Sequence, residues 1–191
     1  ANTIRGLNGG WSYSWQGNNV EKFSEQYNTI LEAMTNKFGS DNIIFEHGVA
    51  YEEHKEWTAE DASGIEKAVA QAKDVDYIIA CVGENSYAET TGNISDLNLS
   101  SNQKLLVKRL QETGKPVILI LNEGRPRLIH DLVDGCKAIV NIMLPGNYGG
   151  DALADLLSGD ENFSGRLPFT YPSHPNSFTT YDFKVCEARE T

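Results

Sequence analysis

Cysteine is scarce in this sequence, and what there is forms no framework. Cys81 sits inside an apolar run, Cys136 precedes another, and Cys186 lies near the end. No C-x-x-C occurs and no histidine stands at metal-ligand spacing from them, so a disulfide scaffold and a cysteine-based zinc site are both excluded. The cysteines are read as buried or idle thiols. Apolar runs are short. None approaches the ~20 residues a membrane-spanning helix needs. No signal peptide opens the chain, and the start at ANTIRGLNGG fits a processed protein or a piece of a longer one as well as a cytoplasmic one. Positive charge is also short: 16 Lys and Arg against 27 Asp and Glu leave a net charge of −11. Binding to nucleic acid rests on neutralising phosphates, and docking on anionic lipid on the same cations, so neither partner is expected.

The familiar nucleotide and serine-hydrolase motifs are missing too. There is no G-x-G-x-x-G after the first strand, no P-loop and no G-x-S-x-G, and His47, His54, His130 and His174 are scattered without an evident serine partner. PGNYGGDALADLL puts glycines at a helix start that could face an anion, but it lacks the lysine and the later acidic ribose ligand, so tight loop packing is the preferred reading. No cofactor or metal is called for. The sequons at Asn93, Asn98 and Asn162 carry no weight in a chain so rich in Asn, Ser and Thr.

What is present is an alternation of strand and helix. Val20, Phe23, Tyr27, Ile30, Leu31, Met34 and Phe38 recur at helical spacing and predict one long helix. NIIFEHGV (42–49) reads as a short strand. Thr58 with Asp61 reads as a capping box before a helix carrying Ile65, Ala68, Val69 and Ala72. YIIACVG (77–83) has strand length; Ser100 and Gln103 form a second capping box before Leu105, Leu106 and Leu110, and Gly114 closes that helix. A strand at 116–121, a helix at 126–134, a strand at 138–144 and a helix at 150–158 complete the series. Strands that are apolar throughout need cover on both faces, and helices between them favour right-handed crossovers. The expected fold is therefore α/β: a three-layer, doubly wound, mostly parallel sheet of four or five strands flanked by helices. The 191 residues suit a single domain with a core at about 20–172.

In such sheets functional groups gather at the carboxyl ends of the strands, which selects loops 83–100, 122–127 and 145–150. The first is longer than a plain connection requires. It holds GENSYAETTG, with two carboxylates five residues apart. Cleavage of a glycosidic bond needs an acid for the leaving oxygen and a second carboxylate as nucleophile or base. Glu84 follows the strand directly and suits a loop anchor. Glu89 lies farther out among small residues and is preferred as the working acid, against the alternative of an ordinary surface loop. At the amino terminus GGWSYSWQG sets Trp11 and Trp15 among Gly, Ser and Gln, a setting that suits a sugar-stacking platform as well as structural packing. One ring is expected in packing and one exposed.

Several segments together resemble glycoside hydrolase family 3, the β-glucosidase-like exo-acting glycosidases: GGWSYSWQGNN, VGENSYAETTGNISDLNLSSNQ, LNEGRP, and MLPGNYGGDALADLLSGDENFSGRLPFTYP, in the family's order. LNEGRP places Glu123 where a small residue is usual. The resemblance implies the second, α/β sandwich domain of an enzyme whose amino-terminal TIM barrel is absent from this sequence. It implies a retaining mechanism on a β-linked oligosaccharide or glucoside, with an aspartate nucleophile on the barrel in a Ser-Asp-Trp context. Here Trp11, Trp15 and Trp57 follow Gly10, Ser14 and Glu56, so that motif is not in the chain. Carried over by position, Glu89 would be the acid/base, with Glu84 as runner-up, and Trp11 the platform beside the leaving-group sugar. The other reading is a non-catalytic module, sugar-contacting or structural, that packs on the barrel. The Gly-Arg-Pro and Gly-Arg-Leu-Pro turns are expected to shape the domain. The resemblance favours a periplasmic or secreted location over a cytoplasmic one.

Overall fold

The computed structural model describes residues 1–53 and 55–176, so Cys186 and His54 lie outside the described residues. The sheet forms where the sequence is most continuously apolar. β3 (Ile78–Gly83), β4 (Val117–Asn122) and β5 (Ala138–Asn141) run parallel in the order β3-β4-β5, with Ile78 opposite Val117 and Ile118 opposite Ala138. β4 is central, and Val117, Leu119, Ile120 and Leu121 are essentially inaccessible to solvent.

Its side chains alternate between two clusters. Leu119 and Leu121, with Ala80 and Val82 of β3, pack on α3 (Ile65–Gln71) and α4 (Ser101–Gln111) through Val69, Val107 and Leu110. Ile120, with Ile118, Ile79 and Cys81, packs on α2 (Ile30–Phe38) and α5 (Gly149–Ser158) through Ile30, Met34 and Leu153. Helices therefore cover both faces, and the three-layer α/β architecture expected from the sequence is the one observed, but among the described residues the parallel sheet has three strands where four or five were expected. A short α1 (Arg5–Asn8) and an antiparallel pair, β1 (Ala50–Tyr51) with β2 (Glu60–Asp61), complete the elements. No helix among the described residues is long and apolar enough to cross a membrane.

Four local expectations are corrected. The long stripe from Val20 to Phe38 is not one helix. Thr29 Oγ1 accepts from Glu32 N at 3.2 Å while Glu32 Oε2 accepts from Thr29 N at 2.8 Å, and this reciprocal cap starts α2 at Ile30. Upstream there is only a single 3-10 turn, Val20–Lys22, followed by an extended Phe23. Thr58 and Asp61 do not cap a helix, because Glu60 and Asp61 are claimed by pairing with Tyr51 and Ala50. Residues 126–134 form a 3-10 segment only from His130 to Gly135, since Leu128 is drawn into a strand-like bridge: its N–H donates to Leu97 O at 2.7 Å and its carbonyl accepts from Leu99 N at 3.3 Å. Segment 42–49 forms no ladder. A cavity of about 180 Å3 separates it from β3.

The second capping box is half present. Ser100 Oγ accepts from Gln103 N at 3.2 Å, but the Gln103 side chain turns into the core instead of back to Ser100. Its Oε1 accepts from Gly83 N at 2.7 Å, and its Nε2, with two hydrogens to share, lies 2.7 Å from Glu60 Oε1, 2.9 Å from Tyr51 OH and 3.0 Å from Gly83 O. The carboxyl end of β3 is thereby fixed where loop 83–100 departs.

Candidate active site

Two loops meet above the carboxyl ends of β3 and β4. The first runs from Gly83 through a 3-10 turn at Glu89–Gly92, and the second is the aromatic segment 9–17. Gln16 clamps one to the other: its Oε1 accepts from Ala88 N at 2.9 Å and its Nε2 donates to Ala88 O at 3.3 Å. The backbones approach so closely that a Cβ on Gly10 would lie 2.2 Å from the Tyr87 carbonyl oxygen, which no side chain can tolerate. Trp11 follows Gly10 and Glu89 follows Ala88, so the clamp brings together the segments that carry the two residues singled out from the sequence.

Glu84 lies beneath this junction with only 7% of its surface exposed. Its Oε1 accepts from Arg125 Nη2 at 2.7 Å, Arg125 Nε at 3.0 Å and Arg127 Nη1 at 3.5 Å. Its Oε2 accepts from Gly124 N, Arg125 N and Tyr87 OH, each at 3.2 Å. A carboxylate met by six donors on both oxygens is held as an acceptor and has no free face for a substrate. Arg125 is fixed in turn. Its guanidinium lies 4.1 Å from the Tyr87 ring centre and 5.7 Å from that of Trp57, and these two rings are 5.0 Å apart. Burial, with the nearby Glu84 charge, pushes the Tyr87 phenol up to about 12, so it remains a donor.

Glu89 is the opposite case. It is exposed, no hydrogen bond reaches its carboxylate among the described residues, and its backbone is left-handed at φ 55. A non-glycine residue in that region is strained, a feature that recurs at functional sites. Trp11 is 64% exposed and also left-handed, its N–H donating to Trp15 O at 2.8 Å. Trp15 is 57% exposed, which corrects the expectation that one of the two indoles packs inside. Tyr13, also half exposed, meets buried Phe23 edge-on with ring centres 4.7 Å apart.

Sequence reasoning missed the supports. Gln16, Trp57, Arg125 and Arg127 have no motif spacing relative to Glu84; the one available signal was the order strand-Gly-Glu at the end of one strand and Gly-Arg-Pro-Arg at the end of the next. The Gly-Arg-Pro turn shapes the domain as expected, through Arg125. Glu123 proves to be fully buried at the end of β4. Its Oε1 accepts from Tyr171 OH at 2.6 Å and from Arg127 N at 3.3 Å, while Oε2 has no partner among the described residues. Burial pushes its carboxyl up to about 7, with the Glu84 charge adding to the shift. No cluster of three His, Cys, Asp or Glu side chains among the described residues could hold a metal ion.

Comparison with known proteins extends this geometry. The chain is 42% identical over 176 residues to a lysosomal beta glucosidase of Dictyostelium discoideum, covering 90% of this chain and 21% of that protein. It is 35% identical over 118 residues to a periplasmic beta-glucosidase of Salmonella typhimurium, covering 61% of this chain and 15% of that one. Among solved structures, an exo-1,3/1,4-beta-glucanase from a Pseudoalteromonas species aligns over 100% of this chain and 22% of its own, with a TM-score of 0.71 and 26% identity. This chain thus spans about a fifth of the length of these relatives. The model of the glycosyl hydrolase family 3 C-terminal domain matches residues 4–190, and the chain belongs to that family.

Proposed function

We propose that this chain is the α/β sandwich half of a retaining, β-glucosidase-like glycoside hydrolase, whose nucleophile is an aspartate on a TIM barrel supplied by the same protein. Glu89 is its general acid/base and Trp11 its platform for the leaving-group sugar. The observation that carries this reading is the contrast between the two glutamates. Glu84 is consumed by six donors. Glu89 has an unengaged carboxylate on a strained turn, one residue from the clamp to the tryptophan loop. In the first half-reaction Glu89 protonates the glycosidic oxygen as the nucleophile bonds to the anomeric carbon. In the second it takes a proton from the water that releases the sugar. The two carboxyls of a retaining pair stand about 5–5.5 Å apart, so the barrel must close over Glu89. That closure would supply the burial and the neighbouring negative charge that keep an acid protonated near neutral pH.

The names of the relatives support β-glucosidase-like or xylosidase-like substrates, and their lysosomal and periplasmic members favour a compartment outside the cytoplasm. The test is Glu89→Ala in the intact enzyme. Turnover should fall by orders of magnitude with a poor leaving group, far less with an activated aryl glycoside, and azide should partly restore it. An unchanged rate would instead support a non-catalytic, cleft-sealing role for this domain.

A further inference from the structure

The antiparallel pair of β1 and β2 stands outside the parallel sheet, yet its side chains reach both ends of the loop that carries Glu89. Tyr51 and Glu60 are partners in its register, and directly opposed residues of an antiparallel pair set their side chains on the same face. Tyr51 OH donates to Gly83 O at 2.7 Å, where loop 83–100 leaves β3. Glu60 Oε2 accepts from Ser100 Oγ at 2.7 Å, where the loop enters α4. Gln103 bridges the two, its Nε2 lying 2.9 Å from Tyr51 OH and 2.7 Å from Glu60 Oε1. Burial, with the Glu60 charge nearby, pushes the Tyr51 phenol up, so it keeps its proton and remains a donor. One cross-strand pair thus holds the two ends of the loop.

Trp57, on the connection between β1 and β2, reaches the middle of the same loop. Its carbonyl accepts from Asn85 Nδ2 at 3.1 Å, and its ring meets Tyr87 at 5.0 Å and the Arg125 guanidinium at 5.7 Å. Both of these partners continue to the turn Glu89–Gly92. A Cβ on Gly92 would lie 2.1 Å from Tyr87 Cδ2, so the Tyr87 ring is seated against the backbone of that turn. Arg125 Nη1 donates to the Gly92 carbonyl at 2.5 Å. β1 and β2 are only 2 residues each, and an isolated hairpin is marginal at best, so the pair and the loop order each other.

We propose that the β1–β2 pair is the brace that places the acid/base loop, and that Trp57 is a positioning residue acting on Glu89 through Tyr87 and Arg125. The proposal rests on the reading of Glu89 as the acid/base. No hydrogen bond holds the Glu89 carboxylate among the described residues, so the turn backbone alone sets where it stands. The turn is held at Gly92 by the two groups that Trp57 touches. A misplacement of about 1 Å can cost on the order of 100-fold in rate. The cost falls on proton donation, and a proton donor matters most where the leaving oxygen is a poor one. Loss of the brace therefore has a signature that loss of stability lacks: it discriminates between leaving groups.

The test is kcat/KM, which reports bond cleavage, measured in the intact enzyme on methyl β-glucoside, cellobiose and dinitrophenyl β-glucoside. Trp57→Ala should lose about tenfold or more on the first two and less than about twofold on the third. Trp57→Phe, which keeps a ring against Tyr87, should recover most of the loss. In a Glu89→Ala background, Trp57→Ala should cost nothing further on cellobiose, because no acid is left to misplace. Equal losses on all three substrates, or the same cost in both backgrounds, would overturn the proposal and leave the pair as a stabiliser of the fold. A loss on cellobiose alone would refute it too, by making Trp57 a contact for the leaving-group sugar. Where Trp57→Ala does not fold, Tyr51→Phe takes a single hydroxyl from the brace and should show the same asymmetry at about threefold or more, and a symmetric or absent effect would sink the idea. Glu89→Ala at the wild-type rate would strike down the reading of Glu89 itself. A crippled Glu89→Ala beside an indifferent Trp57→Ala would strike down the brace alone.

Discussion

Arg125 holds Glu84 across the ends of two adjacent strands, its Nη2 and Nε donating to one carboxylate oxygen at 2.7 and 3.0 Å. The same guanidinium donates through Nη1 to the Gly92 carbonyl at 2.5 Å, which closes the turn that begins at Glu89. One ion pair thus ties β3, β4 and the loop between them into a single body. Removing one partner of a buried pair costs about 3–5 kcal/mol, since the other is left uncompensated. Glu84→Gln keeps the shape but sets an amide N–H2 against donors, so a loss of that order is expected in denaturant unfolding. Arg125→Lys should also be destabilising, because lysine can neither bond in a fork nor lie flat on Tyr87. A Glu84→Gln enzyme of unchanged stability would mean that the carboxylate does not anchor the loop.

The clamp makes a different prediction. Gln16→Ala leaves Ala88 N without its partner, a cost of about 1–3 kcal/mol, and removes the tie between the tryptophan and glutamate loops. In the intact enzyme kcat/KM should fall about tenfold or more while Glu84 and its partners stay in place. Gln16→Glu, which keeps the acceptor for Ala88 N but loses the donor to Ala88 O, should recover part of the loss. Full activity in Gln16→Ala would show that the two loops are positioned independently.

Glu123 makes stability depend on pH. Tyr171 has one hydroxyl proton and two acceptors, Glu123 Oε1 at 2.6 Å and Arg127 O at 2.7 Å. The bond that Tyr171 donates to Glu123 Oε1 favours the ionised carboxylate, and burial outweighs it. The charged groups that face it are Arg127 and Glu84. Its carboxyl is raised in the folded state to about 7 from an ordinary 4.5. Between those values the unfolded chain loses its proton while the native state keeps it. Stability therefore falls as pH rises through that window and levels off above it, by an amount on the order of 3 kcal/mol. Glu123→Gln should remove this fall, so the melting temperatures of wild type and variant should diverge from pH 4.5 to 7, the variant gaining. Parallel profiles would count against a protonated Glu123.

Much of the frame was legible because it is written in local chemistry. Continuous apolar runs gave β3 and β4, and the Ser100 cap gave α4, since burial and capping act within a few residues. What escaped depends on distant partners. Leu128 leaves the helical pattern because Leu97 and Leu99 bond it, and Gln103 abandons its cap for Gly83. The stripe from Val20 kept a helical period through a turn that Thr29 and Glu32 interrupt. Of the site, the two carboxylates and the tryptophans could be nominated. That Glu84 is saturated could not be read, because five of its six donated bonds come from some forty residues away, at Gly124, Arg125 and Arg127.

The isolated chain should be almost inert. On the proposed division of labour, which puts the nucleophile on the barrel, these 191 residues should hydrolyse aryl glucosides no faster than buffer. Restoring the intact protein should restore turnover. Substantial aryl-glucosidase activity from the purified chain alone would defeat the division of labour between two domains.

Glu89 offers the sharpest separation of stability from function. Its φ of 55 costs an L-residue about 1–2 kcal/mol, whereas glycine adopts it freely. Glycine also loses more freedom on folding, about 0.5–1 kcal/mol, so the net effect of Glu89→Gly lies between neutral and slightly stabilising. Glu89→Ala keeps the strain and gains nothing. Both variants remove the carboxyl, and both should lose turnover to the same degree, with the same recovery by azide. Thermal unfolding should nevertheless rank Gly at or above wild type and above Ala by about 1 kcal/mol. That ordering is what a backbone bent to aim a proton donor predicts, since a residue chosen for stability at this position would be glycine. A glycine variant less stable than the alanine one would show that the left-handed turn is not held in solution, and would remove strain from the case for Glu89.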